Sequence, residues 1–343
     1  MPKVVQSFPL QQQKGRKAIS NQLNGWQFPI KNIIDVAGVA PVVSSIGQSE
    51  FTQGSNISGV VITGTGFTGA TSISLGAGIT INSFDVTDDN NINIVDADVD
   101  QNAATGNRDV SVSTPFGTGT LLNGCQVIFG FGNALKFDGV NDYVSFTPVT
   151  ANEMTISLWA KASAADGTFG YYFSSDTTGT DREGLRITET AGGSFGQISY
   201  FDGAAITNLH LLSSPLDWNH LVLIRNTTTK ALQLYVNGVS VYSSSIAAIS
   251  TNNIFILGTL NGTANYLNGT LDEVSIWNTA LSGTDITNLY NSGNGNLATN
   301  YSSANLLAYW RMNESGTDTT AVDEQGTYDG TLNNFSGTYW VPH

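Results

Sequence analysis

Short runs of alternating apolar and polar residues, separated by turn-forming residues, extend through most of this 343-residue chain. In the run DVSVS, Val110 and Val112 share one face of an extended strand, and the polar residues share the other. Glycine supplies 37 residues, whereas lysine and glutamate supply only seven each. Because glycine favours turns and lysine and glutamate favour helices, this pattern predicts an all-β protein and excludes a helical bundle.

The formal net charge of −14 is unevenly distributed. Residues 1–40 contain five basic residues against the single acid Asp35, so this segment is +4 and the remainder is −18. Basic end segments often bind an acidic partner, and we interpret residues 1–40 as an anchoring arm; a solvated, flexible end is the alternative. The acidic remainder argues against nucleic-acid binding, and no apolar run is long enough to insert into a membrane.

The N-terminal sequence and the single cysteine bear on the compartment. The first 20 residues lack the apolar stretch of a secretory signal, so a complete chain would not use the general secretory route. Cys125 is the only cysteine, which excludes an intramolecular disulfide and a cysteine zinc site. We expect Cys125 to be a small buried apolar residue.

Residues 41–128 read as a small β-sandwich because short alternating strands are punctuated by glycine at turn spacing. The runs GVVITGTGFTGATSISLGAG and NRDVSVSTPFGTGTL resemble the IPT/TIG family of immunoglobulin-like domains. This resemblance implies a role in spacing and protein contact rather than in chemistry.

Residues 129–343 are also predicted to be β-structured. Asn237-Gly238 separates two alternating strands and predicts a type I′ hairpin, while Ser282 and Asp285 predict a capped helix that ends at Gly293.

The runs NALKFDGVNDYVSF, TISLWAK, WNHLVLIRN, LYVNG and GTLDEVSIWN resemble the laminin-G-like, concanavalin A-like family. The resemblance implies a jelly-roll sandwich with a C-terminal extension. The predicted fold class is therefore an all-β chain: an immunoglobulin-like sandwich and a jelly roll behind an extended N-terminal arm.

The resemblance extends to glucanases, so catalysis has to be considered. Those enzymes use two carboxylates on one strand, typically as E-x-D-x-x-E, and this motif is absent. Asp272 and Glu273 are adjacent, and regular strand alternation would place them on opposite faces. His220 precedes an apolar run without a nucleophile motif, and we interpret it as a structural histidine. We therefore predict that the protein is not an enzyme.

Calcium is the one cofactor that the sequence suggests. Calcium requires six to eight hard oxygen ligands, and the jelly-roll resemblance implies Asp138, Asp142 and Asp272 as ligands of a structural ion. The alternative is that these carboxylates cap turns. A second acidic set reads instead as the solvated face of a strand; its members are Asp85, Asp88, Asp89, Asp96, Asp98 and Asp100.

Sugar binding would use exposed aromatic rings together with amides and carboxylates. The runs GYYFSSD and SYFDGAA supply the candidates Tyr171, Tyr172, Tyr200, Phe201 and Asp202. Strand alternation buries about half of such residues, and the sequence does not select a subset. The tryptophans within the family motifs are predicted to lie in the core, namely Trp159, Trp218 and Trp277.

The segment YNSGNGNLATNYSSANLLAYWRMNESG resembles stretches of structural proteins of tailed bacteriophages. We therefore hypothesise a virion protein assembled in the host cytoplasm, in the capsid decoration, a head fibre or the tail. Residues 1–40 would bind other virion proteins, and the jelly roll would contact host or environmental glycans. The alternative is a secreted or cell-surface carbohydrate-binding adhesin. The oligomeric state stays open, a homo-oligomer being one option.

Overall fold

The structure is a computed structural model that describes residues 22–23, 26–27, 38–163, 169–175, 182–189, 194–249 and 253–343. The chain divides into two compact units, Met1–Ile128 and Phe129–His343. Strands dominate the described part of both units, which confirms the all-β prediction. Most of the predicted arm, residues 1–40, lies outside the described residues. No helix in the described ranges is long and apolar enough to cross a membrane.

The described part of the first unit contains eleven strands. They are β1 (Gln22–Leu23), β2 (Trp26–Gln27), β3 (Val42–Ile46), β4 (Glu50–Thr52), β5 (Asn56–Ile57), β6 (Val60–Thr65), β7 (Ser72–Ser74), β8 (Ile79–Val86), β9 (Asn91–Val99), β10 (Gly106–Thr114) and β11 (Gly117–Ile128). Among the described strands, β1 and β2 pair only with each other. The others form one sheet in the order β4-β11-β10-β7 and a second in the order β3-β6-β9-β5, with β8 also on β9.

Alternation along these strands builds the core of the first unit. Val110 and Val112 are fully buried, as their spacing predicts. Cys125 is also buried, and burial raises the pKa of its thiol to about 11, so the thiol is inert at neutral pH. On β9, the carboxylates of Asp96 and Asp98 face outward and accept hydrogen bonds from asparagine side chains, as expected for a solvated strand face. The immunoglobulin-like assignment of this sandwich remains a prediction.

The described part of the second unit contains sixteen strands and one α-helix. They are β12 (Asn133–Asp138), β13 (Tyr143–Thr150), β14 (Glu153–Ala162), β15 (Gly170–Ser174), β16 (Gly184–Ile187), β17 (Gln197–Phe201), β18 (Ile206–Leu211), β19 (Asn219–Asn226), β20 (Ala231–Val236), β21 (Val239–Ser245), β22 (Asn253–Leu257), β23 (Asn268–Trp277), α1 (Gly283–Tyr290), β24 (Leu306–Trp310), β25 (Thr320–Ala321), β26 (Gly330–Asn333) and β27 (Trp340–Pro342). Three short 3₁₀ helices follow α1 at Asn291–Gly293, Ala298–Asn300 and Ser303–Asn305.

Two sheets enclose the main core of the second unit. Sheet 1 has the order β21-β20-β19-β14-β23-β12-β27, with β24 also on β23. Sheet 2 has the order β18-β17-β16-β15-β22-β13-β26-β25. The inward-facing residues of both sheets form one large apolar cluster, the arrangement of a jelly-roll sandwich. We call the opposite side of each sheet its outward face.

Local signals in the sequence account for the hairpin and the helix. Asn237 and Gly238 have φ values of 50° and 78°, as a type I′ turn between β20 and β21 requires. Ser282 caps α1 by accepting a hydrogen bond from the amide of Asp285 at 3.1 Å. The helix ends at Asn291, in the left-handed region at φ 48°, rather than at the predicted Gly293. α1 packs on the outward face of sheet 1 around the buried Trp277.

The C-terminal extension is an integral part of both sheets. β24 and β27 join sheet 1, while β25 and β26 join sheet 2. Asp323 fixes the turns between them because its carboxylate accepts hydrogen bonds from the amides of Tyr309, Gln325, Thr327 and Tyr328 at 2.8–3.1 Å. The chain therefore closes the sandwich with residues that follow the helix.

Candidate functional site

Asp138 and Asp142 lie together at the turn between β12 and β13. The carboxylate of Asp138 accepts a hydrogen bond from the amide of Val140 at 2.7 Å, as a turn cap does. The amide of Asp138 donates to Oδ2 of Asp142 at 3.1 Å. Asp142 is buried, and its Oδ1 has no hydrogen-bond partner in the described structure. Burial and the charge of Asp138 raise the pKa of Asp142 to about 6.

Asp272 does not join these two residues. In the pairing of β12 with β23, Asp138 lies opposite Asn268 and Leu135 lies opposite Leu271. Asp272 is therefore displaced from Asp138 by about four residues along the strands, or roughly 13 Å. The expectation that all three form one site is wrong for Asp272. Within the described ranges, no group of three or more histidine, cysteine, aspartate or glutamate side chains could hold a metal ion.

The predicted opposite orientation of Asp272 and Glu273 is also wrong. Trp159 lies opposite Asp272 and Ser157 lies opposite Ser275, so β23 contains one extra residue there. Glu273 occupies this β-bulge with φ at 51°, and the bulge shifts the alternation of side chains. Both carboxyl groups therefore lie on the outward face of sheet 1.

Glu273 and Asp272 both have partners within the protein. Glu273 accepts hydrogen bonds from Nε of Arg311 at 3.3 Å and from the hydroxyl of Tyr309. Asp272 accepts one from the amide of Glu273 at 2.8 Å, and its Oδ2 lies 2.6 Å from Nδ1 of His343. Burial raises the pKa of Glu273 to about 7, against the opposing charge of Arg311, and raises the pKa of Asp272 well above its ordinary value.

Aromatic rings hold His343 beside Asp272. Its imidazole is stacked between the rings of Phe131 and Trp218, at centroid distances of 3.6 and 3.9 Å. Burial and the charge of Lys161 lower the pKa of His343 to about 3. Oδ2 of Asp272 and the imidazole of His343 are therefore hydrogen-bonded in a buried environment lined by aromatic rings. Trp218 is half-buried, with His343 stacked on its ring, and the prediction that it lies in the core is wrong.

His220 is a structural residue, as its sequence context predicts. It lies near the start of β19, where its Nε2 is 2.8 Å from the hydroxyl of Ser157 and its amide donates to Asn237. Burial lowers the pKa of His220 to about 3, so its imidazole is neutral. Trp159 packs beside it and is buried, in agreement with its predicted core position.

The sugar-binding candidates fall into two groups. Tyr172 and Tyr200 belong to the core between the sheets, where no ligand reaches them. Asp202 is buried and caps a turn by accepting hydrogen bonds from two backbone amides. Tyr171 and Phe201 both point to the outward face of sheet 2, where Tyr171 is buried and Phe201 is partly exposed.

Tyr171 is the first residue of a line of polar side chains across four strands. Tyr171 lies opposite Arg186, Arg186 opposite Ser199, and Ser199 opposite Asn208. Directly paired residues point to the same face, so these four side chains form one outward row. Ser199 Oγ donates to Oδ1 of Asn208 at 2.9 Å. We call this set the outward row.

Sequence reasoning missed three members of the outward row. The alternation in GLRIT places Arg186 on the face opposite Leu185 and Ile187, and both of these are in the core. That signal was available in the sequence. The alignment of Arg186 with Ser199 and Asn208 was not, because it depends on which strands are neighbours and on their register.

Arg186 is the most unusual residue of the outward row. Its side chain is largely buried, with 9% exposure, and the ring of Phe169 lies 4.3 Å from the guanidinium carbon. Its Nε has no hydrogen-bond partner, and no carboxylate within the described ranges forms an ion pair with it. Burial raises the pKa of Tyr171, which the neighbouring charge of Arg186 opposes.

Comparison with known families identifies the type of domain that carries this row. Residues 138–287 match the model of the concanavalin A-like lectin/glucanases superfamily. The second unit therefore contains a concanavalin A-like jelly-roll domain. The match ends at residue 287, before the strands of the C-terminal extension begin. A search of curated proteins found no match to the chain.

The solved structures that match this chain are distant in sequence. A candidate carbohydrate-binding protein from Bacteroides ovatus is 15% identical, with 87% of this chain and 99% of that chain covered and a TM-score of 0.48. A heptameric SAP-like pentraxin from Limulus polyphemus is 12% identical, with coverages of 62% and 95% and a TM-score of 0.42. Domain 4 of an extracellular GH43 arabinanase from Geobacillus stearothermophilus, in complex with arabinotriose, is 19% identical, with coverages of 53% and 81% and a TM-score of 0.32.

Proposed function

We propose that the second unit binds carbohydrate through the outward row of sheet 2. The observation that carries this proposal is the composition of that face. A hydroxyl, an amide and a guanidinium lie in one line across neighbouring strands, with the rings of Phe169 and Phe201 beside them. Aromatic surface with a few fixed polar groups is the usual chemistry of small-ligand sites, and sugars present both a ring face and hydroxyls to it.

We propose further that this binding is not accompanied by catalysis. Glycoside hydrolysis requires two carboxyl groups that flank the scissile bond, at about 5–9.5 Å from each other. The adjacent carboxyl groups of Asp272 and Glu273 are buried on sheet 1 and are engaged by His343, Arg311 and Tyr309. These contacts support a structural role for the pair.

The test is a glycan array probed with the full-length chain and with the double variant Phe201→Ala/Asn208→Ala. We expect binding of at least one glycan and a loss of about 10-fold or more in the double variant. Thr331→Ala is the matched control, because Thr331 is exposed near the other end of the same sheet. No binding to any glycan, or equal binding by wild type and double variant, would overturn the proposal.

A structural calcium ion at Asp138 and Asp142 is the proposed cofactor. Their carboxylates supply hard oxygen, and the unpartnered, buried Oδ1 of Asp142 fits a cation ligand. When bound, calcium would neutralise the two adjacent carboxylates and fix the turn between β12 and β13. Asp272 is not included in this proposal.

The biological setting that we propose is a virus particle, with residues 1–40 attached to other virion proteins. Support comes from the basic charge of that segment and from the resemblance of residues 290–316 to phage structural proteins. Deletion of residues 1–40 should abolish incorporation into particles and leave a folded protein, as judged by circular dichroism. Normal incorporation would contradict the role of the arm and favour the alternative, a cell-surface adhesin.

A further inference from the structure

We infer that the outward row selects sugars that carry a carboxylate, through Arg186. This inference rests on the proposed carbohydrate binding and specifies its ligand class. Burial of a charged side chain has a large unfavourable free energy unless the charge is paired. Arg186 is 9% exposed and sits in a described environment that supplies no anion.

Three other arginines show how this chain accommodates a guanidinium. Arg225 is paired with Glu183 at 3.0 Å, and Arg311 is paired with Glu273. Arg108 donates to backbone carbonyl oxygens, among them that of Asn107 at 3.0 Å. Arg225 and Arg311 therefore have carboxylate partners, whereas Arg186 contacts the ring of Phe169 and the hydroxyl of Tyr171, neither of which supplies a counter-charge.

The contacts with Phe169 and Tyr171 leave part of the hydrogen-bonding capacity of Arg186 available. A ring stacked on the flat face of a guanidinium stabilises its charge, but the N–H groups point outward in the guanidinium plane. Nε accordingly remains without an acceptor. The planar fork of a guanidinium matches the two oxygens of a carboxylate, which it binds bidentately.

Asn208, the exposed member of the outward row, would hold the sugar that carries this carboxylate, and the buried Ser199 positions its amide through the hydrogen bond from Oγ to Oδ1. Ser199 lies directly opposite Arg186 on β17, and Asn208 lies opposite Ser199 on the exposed edge strand β18. The row thus runs from a desolvated positive charge to an exposed amide. Its polarity favours a ligand with an anionic group at one end and hydroxyls at the other.

The experiment compares two ligands that differ only in charge. Isothermal titration calorimetry of the full-length chain with trigalacturonic acid and with its methyl ester separates recognition of the carboxylate from recognition of the sugar. A second pair, N-acetylneuraminyl-lactose and its carboxyl methyl ester, tests another carboxylated sugar. We expect one of the acids to bind about 10-fold or more tightly than its neutral counterpart, as a charge-assisted hydrogen bond provides.

The variant Arg186→Met should remove this preference while the circular dichroism spectrum is unchanged. Arg186→Lys should restore only part of it, because lysine keeps the charge without the planar fork. Lys136→Met is the control for loss of one positive charge from the same unit at an exposed position. If neutral glycans bind on the array and neither acid is preferred, the inference fails and carbohydrate binding stands. If no glycan binds, both fail. An equal loss in the Lys136→Met variant would also overturn the inference.

Discussion

The two outward faces of the jelly roll both bury charged side chains, but they neutralise them differently. On sheet 1, Glu273 is paired with Arg311, and Asp272 is hydrogen-bonded to His343. On sheet 2, Arg186 is buried against an aromatic ring without a carboxylate partner in the described structure. On sheet 1 the buried charged groups have partners within the protein, whereas on sheet 2 the positive charge of Arg186 has no counter-charge among the described residues.

This difference separates a structural use of charge from a binding use. A closed network stabilises the fold only as long as all of its members are present, because each charge depends on its partner. An uncompensated charge contributes nothing comparable to stability, and its cost is recovered only when a ligand supplies the counter-charge. Substitutions on the two faces should therefore have opposite effects on stability and binding.

The largest expected effect is that of Arg311→Met. This change leaves Glu273 buried without its partner, and removal of one partner from a buried pair costs about 3–5 kcal/mol. Arg186→Met removes a charge that has no partner, so we expect a change within about 1 kcal/mol of wild type. Urea denaturation of the full-length chains, followed by tryptophan fluorescence, compares the two variants.

The double variant Glu273→Leu/Arg311→Met controls for loss of packing. It should be more stable than Arg311→Met alone, since it removes the unpaired charge as well. Equal destabilisation by Arg186→Met and by Arg311→Met would contradict this difference between the two faces. That result would mean that Arg186 belongs to the structural network of its own sheet.

The sequence was sufficient for those features that depend on local chemistry. The hairpin at Asn237-Gly238 requires two residues with positive φ, and the cap at Ser282 requires a side-chain acceptor three residues before Asp285. The buried positions Val110 and Val112 follow from a period of two. Each of these patterns involves fewer than five consecutive residues.

Features that depend on tertiary pairing were not predictable from one sequence. Nothing in TLDEVSIW indicates that Glu273 occupies a bulge, so regular alternation placed it on the wrong face. The outward row requires the registers of β15, β16, β17 and β18, which are set by the whole sheet. His343 is close to Asp272 only because β27 pairs with β12 at the end of the chain.

The smallest expected effect comes from Asp142, the acidic counterpart of Arg186 in this comparison. Burial raises its pKa from 3.8 to about 6, so the folded protein binds a proton that the unfolded chain has released. Without calcium, this carboxyl group should make stability fall as pH rises from about 4 to about 6. Asp142→Asn should remove that slope and raise Tm at pH 7 by roughly 2–4 °C, as about 1 kcal/mol does in a unit of this size.

Thermal unfolding of wild type and Asp142→Asn between pH 4 and 7 measures this effect, with the exposed Asp217→Asn as the control. Other buried carboxyl groups titrate in the same range, but they are common to both proteins and cancel in the difference. Parallel pH profiles would show that the carboxylate of Asp142 is already compensated within the protein.

Added calcium should raise the Tm of wild type more than that of Asp142→Asn, because only the wild type keeps the carboxylate that would bind it. Equal shifts in Tm for both proteins would contradict calcium binding at this turn. Asp142 would then be a buried acid that destabilises the fold at neutral pH.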